Sequence, residues 1–275
     1  MTKHIFDQAI SLEADPDVPN TWVGHTSPAY WNMIGPYGGI SAAALTQAIL
    51  LHPALLGEPV ALTVNYPGAI VAGPFRITAT PVRTNRSTQH WVLALTQRDA
   101  AGADVVAITG TAMTALPRDT WHASDIPMPE VPLSGLTPRV LQPGAMEWMQ
   151  RYDMRYVTGH IPAQWDGSGS GSLTRLWVRD DQPRALDFAS LTAMSDVFYP
   201  RVWLRRATHV AAGTVSMTIY FHASAQQLLK TGTDFLLAQA QAQVYRHGFA
   251  DQNSQLWNES GVLMVTSHQL VYFKE

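Results

Sequence analysis

The fold is decided by residues 185–200, whose sequence is ALDFASLTAMSDVFYP. Apolar side chains occupy nearly every side of the helical wheel that this stretch forms, which is typical of a helix buried all round. Pro200 ends the predicted helix because proline lacks the N–H and disfavours helical geometry in the residue before it. Asp187 lies in the first turn, where a carboxylate interacts favourably with the helix dipole.

Asp196 does not fit this pattern. It lies in the last turn, where the dipole opposes a negative charge, and its neighbours offer no counter-charge. Burial of an unpaired carboxylate is costly and forces the group to stay protonated unless it is satisfied. We therefore expect groups from elsewhere in the chain to contact Asp196, and these groups mark a candidate functional site. The structural alternative is that Asp196 caps the turn before Pro200 or pairs with Arg201 or Arg205.

The composition indicates a soluble globular protein. The 275 residues, of which 46% are hydrophobic, are enough for one large domain or two small ones. A net charge of −3 and a pI near 6.3 give no electrostatic reason to expect nucleic acid or an acidic membrane as a partner. The sequence contains no cysteine, no signal-peptide core and no uninterrupted apolar segment of membrane-spanning length, so we expect a cytoplasmic protein.

A second apolar helix is predicted at residues 40–51, directly after the segment GPYGG at residues 35–39. Its leading glycines, Gly38 and Gly39, allow another chain or a ligand to approach the backbone closely. Period-two patterns and turn signals predict strands at residues 61–66, 75–84, 90–97, 105–114, 152–157, 214–221, 235–246, 254–257 and 262–273.

The two halves of the chain repeat the same order of elements, a buried helix followed by antiparallel strands. Gly73 and Gly102 in the first half have the same separation as Gly232 and Gly261 in the second, and each pair flanks comparable strands. We predict an N-terminal unit at residues 1–117, a proline-rich linker at 118–147 and a C-terminal unit at 148–275.

Three motifs in the second half resemble the acyl-CoA thioesterases of the thioesterase II type. They are MSDVFYP at residues 194–200, AGTVSMTIYFH at 212–222 and GVLMVTSHQ at 261–269. The resemblance implies an α+β double hotdog, in which each of two tandem units wraps a curved antiparallel sheet around a long buried helix. It also implies that Asp196, Thr214 and Gln269 are the catalytic residues, that acyl-CoA is the substrate, and that the products are a carboxylic acid and CoA.

The chemistry of these residue types fits that activity. A carboxylate within hydrogen-bond reach of a water can act as its general base. The Thr214 hydroxyl and the Gln269 amide are donors, which lower the pKa of Asp196 despite burial and keep it ionised. The backbone N–H groups of Gly38 and Gly39, at a helix start, are the candidate oxyanion and substrate-binding donors.

Strand parity supports only part of this set. Gln269 shares a face with the apolar residues of its strand, whereas Thr214 falls on the face opposite to Val215 and Met217. Thr214 therefore either precedes the regular strand or is redirected by a bulge.

Other candidate residues carry weaker signals. The ten histidines show no metal-ligand spacing, so we expect no metal and no cofactor other than the coenzyme A of the substrate. The 83–86 hairpin could contact CoA phosphates, but a solvated turn is favoured. Four large apolar residues are candidates for the walls of an acyl tunnel, namely Trp22, Trp31, Phe188 and Met194. Packing in the core explains these residues equally well.

Several alternatives stay open from the sequence. The chain could be a non-catalytic acyl-CoA or lipid-binding protein with the same tunnel. It could be a hotdog hydratase or dehydratase, although that chemistry uses a histidine facing an acid and no histidine is placed by motif for it. An acyl carrier protein could replace CoA as the carrier of the acyl group. A homo-oligomer is also expected, because the fold offers sheet edges and helices for contacts between chains.

Overall fold

The computed structural model describes residues 3–140 and 145–274. The first half contains helices α1 (Ile5–Ala9) and α2 (Gly38–Leu50) and strands β1 (Glu13–Ala14), β2 (Thr21–His25), β3 (Glu58–Asn65), β4 (Pro74–Thr84), β5 (Thr88–Arg98) and β6 (Asp104–Ala115). The second half contains strands β7 (Tyr152–Thr158) and β8 (Thr174–Asp180), helices α3 (Phe188–Met194) and α4 (Arg201–Arg206), strand β9 (Ala212–Phe221), helix α5 (Ala225–Thr231) and strands β10 (Leu236–Gln241), β11 (Tyr245–Arg246), β12 (Phe249–Asn258) and β13 (Leu263–Phe273). No helix in these ranges is long and apolar enough to cross a bilayer.

All the strands join one antiparallel sheet, and its order is symmetric. The order is β1-β2-β4-β5-β6-β3-β9-β13-β12-β10-β8-β7, with β11 paired to β12. The two halves meet where β3 pairs with β9, so that β4, β5 and β6 correspond to β10, β12 and β13. The β5–β6 and β12–β13 turns contain Gly102 and Gly261, both in the left-handed region at φ 82° and 80°. This arrangement is what the duplication inferred from the glycine spacing requires.

Helices α2 and α3 pack against each other and form the centre of the core. Most of α2 and all of α3 are buried, as their nearly uniform apolar sequences predict. The hydroxyl oxygens of Thr46 on α2 and Thr192 on α3 lie 3.0 Å apart. Asp187 is the N-cap of α3 and forms a capping box with Ser190. The symmetric halves therefore bring the two helices, and the residues beside their ends, into direct contact.

The helix predicted up to Pro200 is shorter than expected. Helix α3 ends at Met194, and Pro200 is the N-cap of α4. The intervening residues form a tight turn, in which the N–H of Asp196 donates to the carbonyl of Ala193 at 3.1 Å. Asp196 consequently lies just beyond the helix end rather than inside the last turn.

The strand predicted at 235–246 is also interrupted. The backbone N–H groups of Gln243 and Val244 donate to Asp251 Oδ1 at 2.9 and 2.8 Å, which takes them out of the ladder. The chain between β10 and β11 bends around this carboxylate. Strand β12 is longer than predicted at 254–257. The prediction missed its first half because residues 251–255 are all polar and lack the apolar alternation that marks a strand.

The proline-rich segment crosses the outer face of the second half. Trp177 Nε1 on β8 donates to the carbonyl of Pro132 at 2.9 Å. Met128 and Val131 pack against a small buried cluster formed by Trp177, Phe235 and Leu237. Residues 141–144, which belong to the predicted linker, lie outside the described residues.

Candidate active site

Asp196 is buried, 8% exposed, and has no cationic partner among the described residues. Arg201, one of the cations considered from the sequence, instead donates to the carbonyls of Tyr199 and Ser172 and to Thr174. Arg205 is exposed and donates to the carbonyl of Gly169 at 3.3 Å. The structural alternative of an ion pair at Asp196 is therefore wrong.

Gln269 is the side chain that satisfies Asp196. Its Nε2 donates to Asp196 Oδ1 at 2.8 Å and lies 3.3 Å from Met217 Sδ. The hydroxyl of Thr214 donates to Gln269 Oε1 at 3.4 Å, and no described contact joins Thr214 to Asp196. The expectation that both residues donate to the carboxylate is thus correct for Gln269 and wrong for Thr214, which holds the Gln269 amide instead.

A β-bulge brings Thr214 to the inner face. The β9–β13 register shifts so that Leu270 pairs with Ser216 but Val271 pairs with Thr214, leaving Val215 as the extra residue. This shift places Thr214 on the same side as Met217 and Gln269, despite the parity of the strand. The released carbonyl of Val215 accepts the N–H of Tyr66 at 2.9 Å. Of the two explanations left open by the sequence, the bulge is confirmed.

The start of α2 forms the other side of the site. The N–H of Gly39 acts on the Asp196 carboxylate and lowers its pKa. The carbonyl of the same peptide group, Gly38 O, accepts the Tyr66 hydroxyl at 3.0 Å. Tyr66 therefore fixes the orientation of the peptide that faces Asp196. The N–H of Gly38 forms no hydrogen bond to another described group. Of the two glycine N–H groups, it is therefore the one that remains available to a ligand.

The protonation of Asp196 is set by a balance between burial and these donors. Burial raises the pKa of Asp196 to about 7, against the opposing effects of the Gln269 amide and the Gly39 N–H. The expectation that donors keep this pKa low is therefore wrong, since two donors only partly offset the loss of water. Near neutral pH the carboxyl group exchanges readily between its charged and neutral forms, which suits a general base.

The neighbouring phenols stay protonated. Burial first, and then the negative charge of Asp196, raise the pKa values of Tyr37 and Tyr66 well above their usual range. Both groups act only as donors here, Tyr37 to the carbonyl of Ala193 at 2.5 Å and Tyr66 to Gly38. Tyr37 also stacks on Trp148 with ring centroids 4.3 Å apart, which ties the helix start to the wall of the neighbouring cavity.

Asp196, Thr214, Gln269 and Gly38 all line one cavity of about 660 Å³. Its other walls are mostly apolar or aromatic and come from both halves of the chain. They include Met33, Ile34, Tyr37, Tyr66, Ile70, Met146, Trp148, Met149, Ile161, Phe198, Tyr199, Trp203 and Val271. The cavity is large enough for a small organic ligand, and its lining combines these apolar walls with a few polar side chains, Asp196 among them.

The tunnel walls considered from the sequence are not among these residues. Trp22 packs near His52 and Phe188 near Phe221, while Met194 is buried in the core. Trp31 does not line the cavity either. Core packing, the alternative explanation, accounts for Trp22, Phe188 and Met194. The 83–86 hairpin is exposed and lies outside the cavity wall, with Arg83 donating to Asn85 Oδ1 at 3.0 Å.

A row of cross-strand neighbours shows that the glutamines beside the carboxylate occur in only one of the two halves. Across β5, β6, β3, β9, β13 and β12 the row reads Leu93, Gly110, Val64, Met217, Gln269 and Gln252. Because the halves meet between Val64 and Met217, Gly110 is the counterpart of Gln269 and Leu93 the counterpart of Gln252. Neither Gly110 nor Leu93 has a side-chain amide that could donate to a carboxylate. The second half thus supplies the carboxylate and the side-chain amides, and the first half supplies the helix start with the tyrosines beside it.

Sequence reasoning missed Tyr66 and Gln252. Tyr66 directly follows β3, where no periodicity predicts the direction of a side chain. Gln252 falls on the inner face with Ala250, Ser254 and Leu256, so its parity with that buried face was the available signal.

The symmetric sheet and its paired buried helices define a double hotdog of the α+β class, and this prediction is confirmed by comparison with solved structures. A hot dog fold protein of unknown function from Alicyclobacillus acidocaldarius is 39% identical over 100% of this chain and 99% of its own, with a TM-score of 0.92. A putative thioesterase II from Thermobifida fusca is 19% identical over 98% of each chain, with a TM-score of 0.80. An acyl-CoA thioesterase II from Mycobacterium marinum is 15% identical over 98% of this chain and 97% of its own, with a TM-score of 0.76.

Family comparisons identify the class of enzyme. Residues 27–115 match the acyl-CoA thioesterase N-terminal domain, and residues 127–273 match the acyl-CoA thioesterase C-terminal domain. No curated protein matches the chain significantly. The chain belongs to the acyl-CoA thioesterase family and is a thioester hydrolase of the thioesterase II type, as its motifs predicted.

Gly38 offers a test of how tightly the helix start is fitted to the carboxylate. A Cβ built on Gly38 would lie 2.8 Å from Asp196 Oδ2 and 3.6 Å from the Tyr66 hydroxyl. We expect Gly38→Ala to lower kcat for thioester hydrolysis by about 100-fold, because displacement of a reacting group by ~1 Å has an effect of this order. Gly135→Ala, where a Cβ would meet nothing within 4 Å, is the control for steady-state assays. Equal kcat values for the two variants would contradict the close fit.

Proposed function

We propose that this enzyme hydrolyses acyl-CoA thioesters with a water molecule that Asp196 activates, while Gln269 and Thr214 orient the carboxylate. The observation that carries the proposal is the buried Asp196 carboxylate, which lines the cavity, accepts from Gln269 at 2.8 Å and faces the start of α2. A general base needs a pKa near the working pH, and burial raises the pKa of Asp196 to about 7.

The proposed reaction has two steps. In the first, the oxygen of the water forms a bond to the thioester carbonyl carbon while Asp196 takes a proton from that water. The carbonyl oxygen thereby becomes an oxyanion. The Gly38 N–H, free at the helix start, donates to that oxyanion. In the second, the carbon–sulfur bond breaks, the sulfur leaves with the electron pair, and protonated Asp196 returns its proton to the thiolate. The products are a carboxylic acid and CoA, and no other cofactor takes part.

The residues around the cavity weigh against the alternatives. A hydratase or dehydratase uses a histidine across from its acid, and no histidine of the described chain lines this cavity. A protein that only binds acyl-CoA has no use for a base whose pKa lies near neutrality. An acyl carrier protein as the donor of the acyl group stays an alternative to CoA. A cytoplasmic location fits the absence of cysteine, and a homo-oligomer through the β7 sheet edge is also proposed.

The test is CoA release from saturated acyl-CoA substrates of graded length, with a thiol reagent and with identification of the acid product. We expect kcat/KM to fall about tenfold per pH unit below about pH 7 and to level off above it, because only ionised Asp196 accepts the proton. Conversion of an enoyl-CoA to a hydroxyacyl-CoA without CoA release would instead support a hydratase. Binding of acyl-CoA with no turnover would support the binding protein.

A further inference from the structure

Gln252 is a second amide beside Gln269, and its Nε2 has no hydrogen-bond partner among the described residues. It is 2% exposed and is one of the residues that line the cavity, and its Nε2 is buried. A buried amide donor without a partner is costly in a folded protein, and such groups are few. An unpaired polar side chain on the wall of a binding cavity indicates a group that the ligand satisfies.

The fold itself does not need an amide at this position. Leu93, which occupies the equivalent place in the first half, is 1% exposed and packs in the core. Gln252 and Gln269 are direct cross-strand partners, so their side chains leave the sheet side by side on one face. Since Gln269 contacts Asp196, the Gln252 side chain leaves the sheet next to the side chain that holds the carboxylate.

We propose that Gln252 is a further catalytic residue, whose side-chain amide donates a hydrogen bond to the thioester carbonyl oxygen. Together with the Gly38 N–H it would form a two-donor oxyanion site, one donor from the sheet and one from the helix start. This role rests on the proposed function, because it places the carbonyl carbon within reach of the water held by Asp196. The hydrogen bond strengthens as negative charge develops on the oxygen, so it stabilises the transition state more than the bound substrate.

The matched variant is Gln252→Leu, which introduces the residue found at the equivalent position of the first half. We expect kcat to fall by about 100-fold with little change in KM, the order of effect seen when one oxyanion donor is removed. The melting temperature should stay equal or rise, because the substitution removes an unpaired buried amide. The control is Gln255→Leu, three residues further along β12 on the outer face, which should leave kcat unchanged.

A ketone analogue of acyl-CoA, with the sulfur replaced by a methylene group, gives a readout that does not depend on turnover. In the wild-type protein we expect the carbonyl stretch of the bound analogue to shift to lower frequency, and Gln252→Leu should reverse part of that shift. If the carbonyl stretching frequency of the bound analogue is the same in Gln252→Leu as in wild type, the proposal is overturned. This outcome can be read even if the enzyme turns over no acyl-CoA. Loss of activity confined to acyl chains that carry their own hydroxyl or keto group also overturns it, and would place the contact further along the chain.

Discussion

Replacing Asp196 with Asn is expected to lower kcat for acyl-CoA hydrolysis by about 1,000-fold, within the range for loss of a general base. Asparagine nearly matches the carboxylate in volume and can still accept the Gln269 amide, which donates to Asp196 Oδ1 at 2.8 Å. What it cannot do is take a proton from water. KM should therefore change little, because the cavity walls remain in place.

Asp180 provides an unusually close control for this experiment. It is 2% exposed, and burial raises its pKa to about 7, as burial does for Asp196. Asp180 does not line the cavity, so Asp180→Asn should leave kcat within about twofold of wild type. Because both carboxyl groups titrate near pH 7, the pair of variants also identifies which one controls the pH dependence of the rate. Substantial hydrolysis by Asp196→Asn, with the pH dependence intact, would rule out Asp196 as the base.

How much of this site could be predicted from the sequence depends on how each residue is positioned. Asp196 was predictable because a carboxylate in an apolar helical stretch is a local conflict that needs a distant partner. Gln269 was identified by the resemblance of its motif, and the parity of a regular strand then predicted that it lies on the inner face. Thr214 required a bulge, whose place depends on pairing between β9 and β13, which lie far apart in sequence. From the sequence, a bulge was one of two possible explanations, the other being that Thr214 precedes the regular strand.

The incorrect expectations about the cavity walls have a single cause. Composition and periodicity show which side chains are buried, but they do not distinguish burial in the core from burial on a cavity wall. Trp22 and Phe188 were therefore considered as tunnel walls, while Trp148 and Trp203, which do line the cavity, follow loops and turns without periodicity. The pKa of Asp196 was expected to stay low because Thr214 and Gln269 were both counted as its donors, whereas Thr214 donates to Gln269 and burial outweighs the donors that remain.

The same carboxylate should make the protein less stable as pH rises. Asp196 has a pKa of about 7 in the folded state and the ordinary value of 3.8 when unfolded. Between these values the folded protein keeps a proton that the unfolded chain releases, so the free energy of unfolding falls with increasing pH. From pH 5 to pH 8 this single group should remove about 2–3 kcal/mol of stability from the wild-type protein, at about 1.4 kcal/mol per pKa unit.

Asp196→Asn lacks this titration, so its stability relative to wild type should increase by about 2–3 kcal/mol between pH 5 and pH 8. The measurement is urea unfolding followed by tryptophan fluorescence at unit intervals of pH. Gln252→Leu removes a polar group beside the site but no titrating group, and its unfolding free energy should run parallel to wild type across the same range. Parallel curves for Asp196→Asn as well would mean that the carboxyl group titrates normally in the folded protein. A base held at this cost to stability is consistent with selection for catalysis at the position, since a neutral side chain of the same size would fold better at neutral pH.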